Sequence, residues 1–378
     1  MTDEERISVL PEENQRVLRR LMANKPEDLP ENPQKNTWYI YRPQGCFCSD
    51  GEAYYSTLKI GLENKLLIMF CGGGFAVDLY TAARPAKLVS DEGKVTFYQP
   101  NTAVIGYLTG KSGLTNKDRE ENPFKDWSVV VISYASGDFH CGTNDVVYDD
   151  GEMGQGVCHQ RGYINYRAML DKMKTLIPDP QQVFITGYSA GGFGAALLSD
   201  DIIKNFDKCD SFYCLVDSAF LAYQGWRETT QYQWKAPKEI HERLVSDNIT
   251  VDALLALHRS HGIKVKIAIT CTSRDALLSQ DQNYFKGKGM IFDQEGGDIA
   301  QNVIKQSVVT LSQAIPNLAV YIYDRPHGEI KEGNLTEHTI IASDDVFEYE
   351  YQGVKIIDWI NAFYLGNPYK IGLHLLEL

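Results

Sequence analysis

Ser189 stands in Gly187-Tyr188-Ser189-Ala190-Gly191, between the apolar run Val183-Phe184-Ile185 and the small-residue run Phe193 to Leu198. A serine hydroxyl attacks an acyl carbon only if it stands clear of its own chain. A sharp strand-to-helix turn achieves this, with glycine two before and two after the serine, where a Cβ would strike the neighbouring strand or helix. The helix that follows aims free N–H groups at the site, which favours developing negative charge. The plainer alternative is a serine that merely caps the helix.

A nucleophilic serine needs a base, and the base needs an acid to orient it. In a strand-turn-helix architecture of this kind they follow the serine in the order acid, then histidine, on loops after later strands. Of the eight histidines, His140 and His159 precede Ser189, while His241, His258 and His261 fall in a helical stretch and His374 in an apolar tail. His327 follows Ala319-Val320-Tyr321-Ile322-Tyr323 after a short turn and is the expected base, with His338 the alternative. Asp275, in Thr272-Ser273-Arg274-Asp275 after the run Val265 to Cys271, is the expected acid, ahead of Asp281 and Asp217.

The oxyanion of a tetrahedral intermediate needs backbone N–H donors from two places. Ala190, next to the serine, supplies one. The turn Gly72-Gly73-Gly74-Phe75, abutting the apolar run Leu66 to Phe70, supplies the other through Gly74 and Phe75. Gly73, Tyr188 and Asp138 are expected to complete the substrate pocket.

The elements that must hold these groups are legible as alternating patterns. Trp38–Tyr41, Ala53 to Lys59, Leu66 to Phe70, Trp127 to Tyr134, Val183 to Gly187, Phe212 to Val216, Val265 to Cys271 and Leu318 to Asp324 read as strands. Tyr163 to Leu176, Val303 to Ile315 and Val354 to Tyr364 read as helices. Buried β-branched strands alternating with helices predict an α/β fold with a mainly parallel central sheet covered on both faces. Residues 1–35 read as a polar lead-in, with a helix over 12–23 and a Pro-rich linker. Residues 36–378 form one catalytic domain, with an inserted helical cap over 218–262.

The chain has 378 residues and a net charge of −13. That charge argues against nucleic acid and anionic membrane surfaces as partners. No apolar run approaches the roughly 20 residues that span a bilayer. The acidic opening Met1-Thr2-Asp3-Glu4-Glu5 shows no signal-peptide pattern, so a cytoplasmic location is expected unless a leader has been removed. Eight cysteines permit disulfides without requiring them. Cys46-x-Cys48 with His140, Cys141, Cys158 and His159 suggests zinc only weakly, and neither metal nor cofactor is expected. Lys111-Ser112 fails as a phosphate loop because Ile105 stands where glycine is needed. Asp145 and the Asp149-Asp150 pair read as a polar rim.

Several motifs together resemble the pectin acetylesterase and Notum carboxylesterase family. They are Cys48-Ser49-Asp50-Gly51-Glu52, Phe70-Cys71-Gly72-Gly73-Gly74-Phe75, Pro123-Phe124-Lys125-Asp126-Trp127, Tyr134-Ala135-Ser136-Gly137-Asp138, the elbow, Ser273-Arg274-Asp275, Pro326-His327-Gly328-Glu329-Ile330 and Trp359-Ile360-Asn361-Ala362-Phe363. The resemblance runs from about residue 38 to 367. It implies an α/β-hydrolase variant, a triad of Ser189, Asp275 and His327, and an oxyanion hole of Gly74, Phe75 and Ala190. The chain departs from the family just after the glycine run, where it carries Phe75-Ala76-Val77. The expected function is a serine carboxylic-ester hydrolase that removes acetyl or another short acyl group from a carbohydrate or small-molecule ester. A binding protein on a hydrolase fold, or a thioesterase, peptidase or lipid-ester hydrolase, is the alternative.

Overall fold

The computed structural model describes residues 25–87, 94–102 and 111–378, and ten scattered positions before residue 20. Fourteen strands are labelled here in chain order. They are β1 (Glu27–Asp28), β2 (Trp38–Tyr41), β3 (Ser56–Lys59), β4 (Lys65–Phe70), β5 (Ser128–Ile132), β6 (Asn144–Asp150), β7 (Gly154–Gln160), β8 (Gln182–Tyr188), β9 (Ser211–Asp217), β10 (Val265–Thr272), β11 (Ala319–Tyr323), β12 (Glu350–Tyr351), β13 (Val354–Lys355) and β14 (Lys370–Ile371). The main helices are α1 (Gly162–Leu176), α2 (Ala190–Asn205), α3 (Ile249–His261), α4 (Ala276–Phe285), α5 (Gln294–Ala314) and α6 (Ile356–Tyr364).

Ten strands form one sheet in the order β1-β2-β3-β5-β4-β8-β9-β10-β11-β14. The pairs β2–β3 and β3–β5 are antiparallel, and every other pair in the sheet is parallel. The central strands are buried along nearly their whole length, which is why they read as continuous apolar runs rather than alternating ones. The chain passes from β4 outward to β5, then crosses back over β4 to β8, so the winding reverses beside β4. A parallel sheet opens a crevice at such a reversal, beyond the carboxyl ends of its strands.

The register decides what meets there. Phe70 at the end of β4 pairs with Gly187 near the end of β8. The glycine turn after β4 and the serine after β8 therefore leave the sheet side by side. Close approach demands the glycines. A Cβ on Gly187 would sit 2.1 Å from the Gly191 carbonyl oxygen, and one on Gly191 would sit 2.1 Å from that of Phe70.

Part of the lead-in joins the sheet, since β1 pairs in parallel with β2. The expected helix over 12–23 lies almost wholly outside the described residues, while Asp3–Ser8 is helical. Asp145 and the Asp149-Asp150 pair, read as a polar rim, lie on the antiparallel hairpin β6–β7. Its acids are paired: Asp145 with Arg161 and His159, and Asp150 with Arg84. Within 218–262, short helical turns over Trp226–Glu228, Thr229–Gln233 and Lys238–His241 precede α3. The first part is fastened to the glycine-turn loop, where Trp234 Nε1 donates to the Ala76 carbonyl at 2.8 Å. No helix among the described residues is long and apolar enough to cross a membrane.

Replacing Gly191 by alanine drives a methyl group into the backbone of β4, which cannot yield without moving the sheet. Gly191→Ala is expected to lower stability by about 1–3 kcal/mol, the range for overpacking, measured as a shift of the urea unfolding midpoint.

Candidate active site

Ser189 occupies the N-cap position of α2 with φ 54° and ψ −128°, and its side chain makes no capping hydrogen bond. That backbone is strained for a residue with a Cβ. A serine serving only as a cap would adopt extended backbone and bond the N–H two or three residues on, so the capping alternative fails. The strain is held by a hydrogen bond from Ser189 N–H to the Asp217 carbonyl, 2.9 Å. The hydroxyl is left for other chemistry.

The glycine turn beside it is nearly fully assigned, peptide by peptide. The Cys71 carbonyl accepts from His140 Nε2 at 2.9 Å. The Gly73 carbonyl accepts from Gln99 N–H at 2.8 Å, the Gly74 carbonyl accepts from the Tyr134 hydroxyl at 2.7 Å, and Phe75 N–H donates to the Phe97 carbonyl at 2.9 Å. Among the described residues, the N–H groups of Gly73 and Gly74 are left without a backbone acceptor. A trans peptide points its C=O and N–H in opposite directions. Gly74 N–H therefore points away from Gln99, on the side opposite the Gly73 carbonyl. A Cβ on Gly72 would lie 2.8 Å from Ser189 Cβ, so the turn runs against the serine. Gly74 and Ala190 fit as oxyanion donors. Phe75 does not, because its N–H is already committed to Phe97; Gly73, expected in the pocket, has the free donor instead.

The structure pairs the expected acid with the second histidine. His338 Nδ1 lies 2.8 and 2.7 Å from the two oxygens of Asp275, which is fully buried at the N-cap of α4 and also accepts from Leu278 N–H. A carboxylate only accepts, so Nδ1 carries the proton and the neutral ring keeps its lone pair on Nε2. Nε2 is buried and has no hydrogen-bond partner among the described residues.

His327, the expected base, lies elsewhere in the same loop. Its Nδ1 accepts from the N–H groups of Glu329 and Ile330, at 3.1 and 3.0 Å. The neutral ring therefore carries its proton on Nε2, which faces Glu337 at 4.0 Å. Neither its partner nor its tautomer suits a base oriented by Asp275. The loop after β11 leaves and returns on itself: His327 N–H donates to the Leu335 carbonyl and Glu337 N–H to that of Arg325. The excursion closes before His338, which is then delivered to Asp275.

Asp217, the third acid considered, does not touch the imidazole by hydrogen bond. Its buried carboxylate accepts from Ile340 N–H at 2.8 Å and Ile341 N–H at 3.0 Å, just past His338, and from the Ser218 hydroxyl at 3.0 Å. Burial pushes its pKa up to about 6, against those bonds and the nearby His338. Asp281, six residues into α4, is raised to about 7, by burial and by Asp275 against the opposing pull of His338. For His338, burial lowers the pKa, but Asp275, with Asp217 and Asp281 beyond, outweighs it and holds the imidazolium above its usual value.

Asp138 is no pocket residue. It is fully buried and accepts from the Ser136 hydroxyl and from the N–H groups of His140, Gly142 and Gly162, at 2.6 to 3.1 Å. It ties the loop after β5 to the start of α1 and so positions His140 behind the glycine turn. Burial raises its pKa against those four donors. None of the eight cysteines forms a disulfide and all are buried, and no three His, Cys, Asp or Glu side chains among the described residues gather as a metal site.

A family model described as pectinacetylesterase matches residues 32–246, the part holding the glycine turn and Ser189 but not Asp275 or His338. Pectin acetylesterase 5 of Arabidopsis thaliana is 24% identical over 186 residues, covering 48% of this chain and 40% of that protein. Pectin acetylesterase 11 of the same plant is 23% identical over 184 residues, covering 48% of this chain and 44% of that protein. The aligned stretch thus spans less than half the length of these curated relatives. The solved structure of the Wnt deacylase Notum from Drosophila superposes with a TM-score of 0.57 at 15% identity, covering 86% of this chain and 93% of that one. The fold is therefore a Notum-like α/β-hydrolase.

Asp138→Asn puts an amide NH2 among four donors. It is expected to cost about 1–3 kcal/mol in urea unfolding, as for other buried groups left without a partner. A residue on a solvated pocket rim would cost almost nothing.

Proposed function

Because this chain belongs to the pectinacetylesterase family, we propose that it is a serine carboxylic-ester hydrolase acting through an acyl-enzyme. The observation that carries the reading is the buried Asp275–His338 pair, whose free Nε2 accompanies an uncapped, strained Ser189. Ser189 Oγ attacks the ester carbonyl as its proton passes to His338 Nε2. Asp275 holds the ring in the required tautomer and stabilises the imidazolium. The N–H groups of Ala190 and Gly74, with Gly73 beside them, take the charge that develops on the carbonyl oxygen. His338 then returns the proton to the departing alcohol, and water repeats the sequence to free the acid. A short acyl group such as acetate is the proposed product, and a carbohydrate or small-molecule ester the proposed substrate.

Hydrolysis of p-nitrophenyl acetate tests the assignment. Ser189→Ala and His338→Ala are each expected to lower kcat by about a thousandfold or more, while His327→Ala stays within a few-fold of wild type. Loss of activity in His327→Ala with a normal rate in His338→Ala would reverse the base assignment.

The same enzyme has a defined pH dependence. The base works when neutral, and the acids around His338 stabilise its charged form. The rise of kcat/KM with pH is therefore expected at an apparent pKa above 6.5, the ordinary histidine value. Asp217→Asn removes one of those charges and should move the rise to lower pH, besides slowing the reaction by loosening residues 340–341.

A further inference from the structure

Two non-glycine residues with left-handed backbone meet next to the proposed base. Ser218 has φ 51° and Thr339 has φ 61°, and Thr339 directly follows His338. The conformation is costly for any residue with a Cβ, and most of all for a β-branched one. Glycine would relieve it. Ser218 is fully buried, and its N–H donates to the Thr270 carbonyl at 2.9 Å, which ties its backbone to β10. Its hydroxyl donates to Asp217 Oδ1 at 3.0 Å and accepts from Thr339 N–H at 3.3 Å. Chemistry sets the direction of those bonds. A hydroxyl has one proton, an ionised carboxylate only accepts, and an N–H only donates. The proton therefore goes to Asp217, and a lone pair is left for Thr339.

We infer that Ser218 is a positioning residue of the base: its hydroxyl holds the His338–Thr339 peptide and so sets where the imidazole stands. The N–H groups of Ile340 and Ile341 go to Asp217 Oδ2, but they lie one and two peptides further on. The Thr339 N–H belongs to the peptide that joins it to His338, and that peptide is planar. Fixing it fixes the backbone from which the imidazole springs. Asp275 holds the ring through Nδ1 alone, which leaves the ring free to pivot about that atom. A second constraint, on the backbone, removes that freedom. The neighbouring Asp217 carbonyl holds Ser189 N–H at 2.9 Å, so nucleophile and base are both referred to two adjacent residues. Serine stands at 218, where glycine would suit the backbone better, because glycine has no hydroxyl.

The inference rests on the esterase reading, and the test separates the two. Ser218→Ala and Ser218→Gly are compared with wild type in p-nitrophenyl acetate hydrolysis across pH and in urea unfolding. Labelling with a fluorophosphonate counts the competent serines, so that each rate is per active molecule. Both variants should lose about ten- to hundredfold in kcat, with KM within about twofold, as for a slightly misplaced catalytic group. Glycine relieves the backbone where alanine does not, so Ser218→Gly should be the stabler variant yet no more active. The charged groups around His338 are Asp275, Asp217 and Asp281. Losing the Ser218 donor makes Asp217 harder to ionise and weakens its support of the imidazolium. The rise of kcat/KM should therefore move to lower pH in both variants, which a loss of stability alone does not produce. Variant rates within about twofold of wild type, activity that returns with stability in Ser218→Gly, or an unmoved pH profile would each overturn the inference. Wild-type turnover would in those cases keep the esterase reading intact. Ser218→Gly decides alone should Ser218→Ala fail to fold. A Ser218→Gly chain that does not fold would make the hydroxyl a requirement of the fold itself, and the inference would fall. No turnover by wild type would overturn the esterase reading and the inference with it.

Discussion

One buried aspartate joins the two halves of the proposed catalytic machinery. The main-chain carbonyl of Asp217 accepts the N–H of Ser189, and its carboxylate accepts the N–H groups of Ile340 and Ile341. The nucleophile and the loop bearing His338 are separated by about 150 residues of chain, yet both are fixed to the last residue of β9. Since β9 pairs with β8 up to Asp217 opposite Tyr188, the sheet delivers this anchor beside the elbow. Burying a carboxylate is costly without donors, and here the donors are the backbone of the segment that must be placed. The charge that could destabilise the core is the means of holding it in register.

The glycine turn obeys the same logic with neutral groups. Its carbonyls face His140, Gln99 and Tyr134, Phe75 N–H faces Phe97, and among the described residues the N–H groups of Gly73 and Gly74 are left without a backbone acceptor. His140 does this as a neutral ring, because burial lowers its pKa to about 4. Behind it, Asp138 gathers four donors and keeps the supporting loop closed. The donors are thus oriented before any substrate arrives, which is the condition for electrostatic stabilisation to favour the transition state.

Much of this was legible in the sequence, for physical reasons that also mark the limit. Parallel strands buried on both faces are apolar runs, and β4, β5, β8, β9, β10 and β11 announced themselves in that way. The elbow was legible because two glycines are needed within five residues, where the backbones of β4 and α2 nearly touch. His338 was not, because an eleven-residue excursion between two histidines has no local signature of where it folds back. His327 follows the strand more directly, but the loop returns on itself before it reaches the histidine that Asp275 holds. The anchoring parts played by Asp138 and Asp217 were hidden for a related reason. A carboxylate that gathers backbone N–H groups from distant segments looks, in sequence, like any loop or strand-end aspartate. Phe75 failed as a donor because its N–H is taken by Phe97 across a bridge joining residues more than 20 apart.

Strain is concentrated where these hydrogen bonds are. Phe139, His140, Ser189, Ser218 and Thr339 all have positive φ without being glycine. Each costs of order 1 kcal/mol or more and persists only where its surroundings enforce it. The enforcement is visible. His140 is held by Asp138 and Cys71, Ser189 by Asp217, Ser218 by the Thr270 carbonyl, and Thr339 by the Ser218 hydroxyl. These tethers run into the ends of β4, β9 and β10 or the loop after β5, the least deformable edge the molecule has. A smaller sheet would lack the strand ends to hold two strained loops and a strained nucleophile together. The broad, flat-buried sheet is therefore what lets a few hydrogen bonds keep Ser189 and His338 in unfavourable backbone neighbourhoods and ready to react.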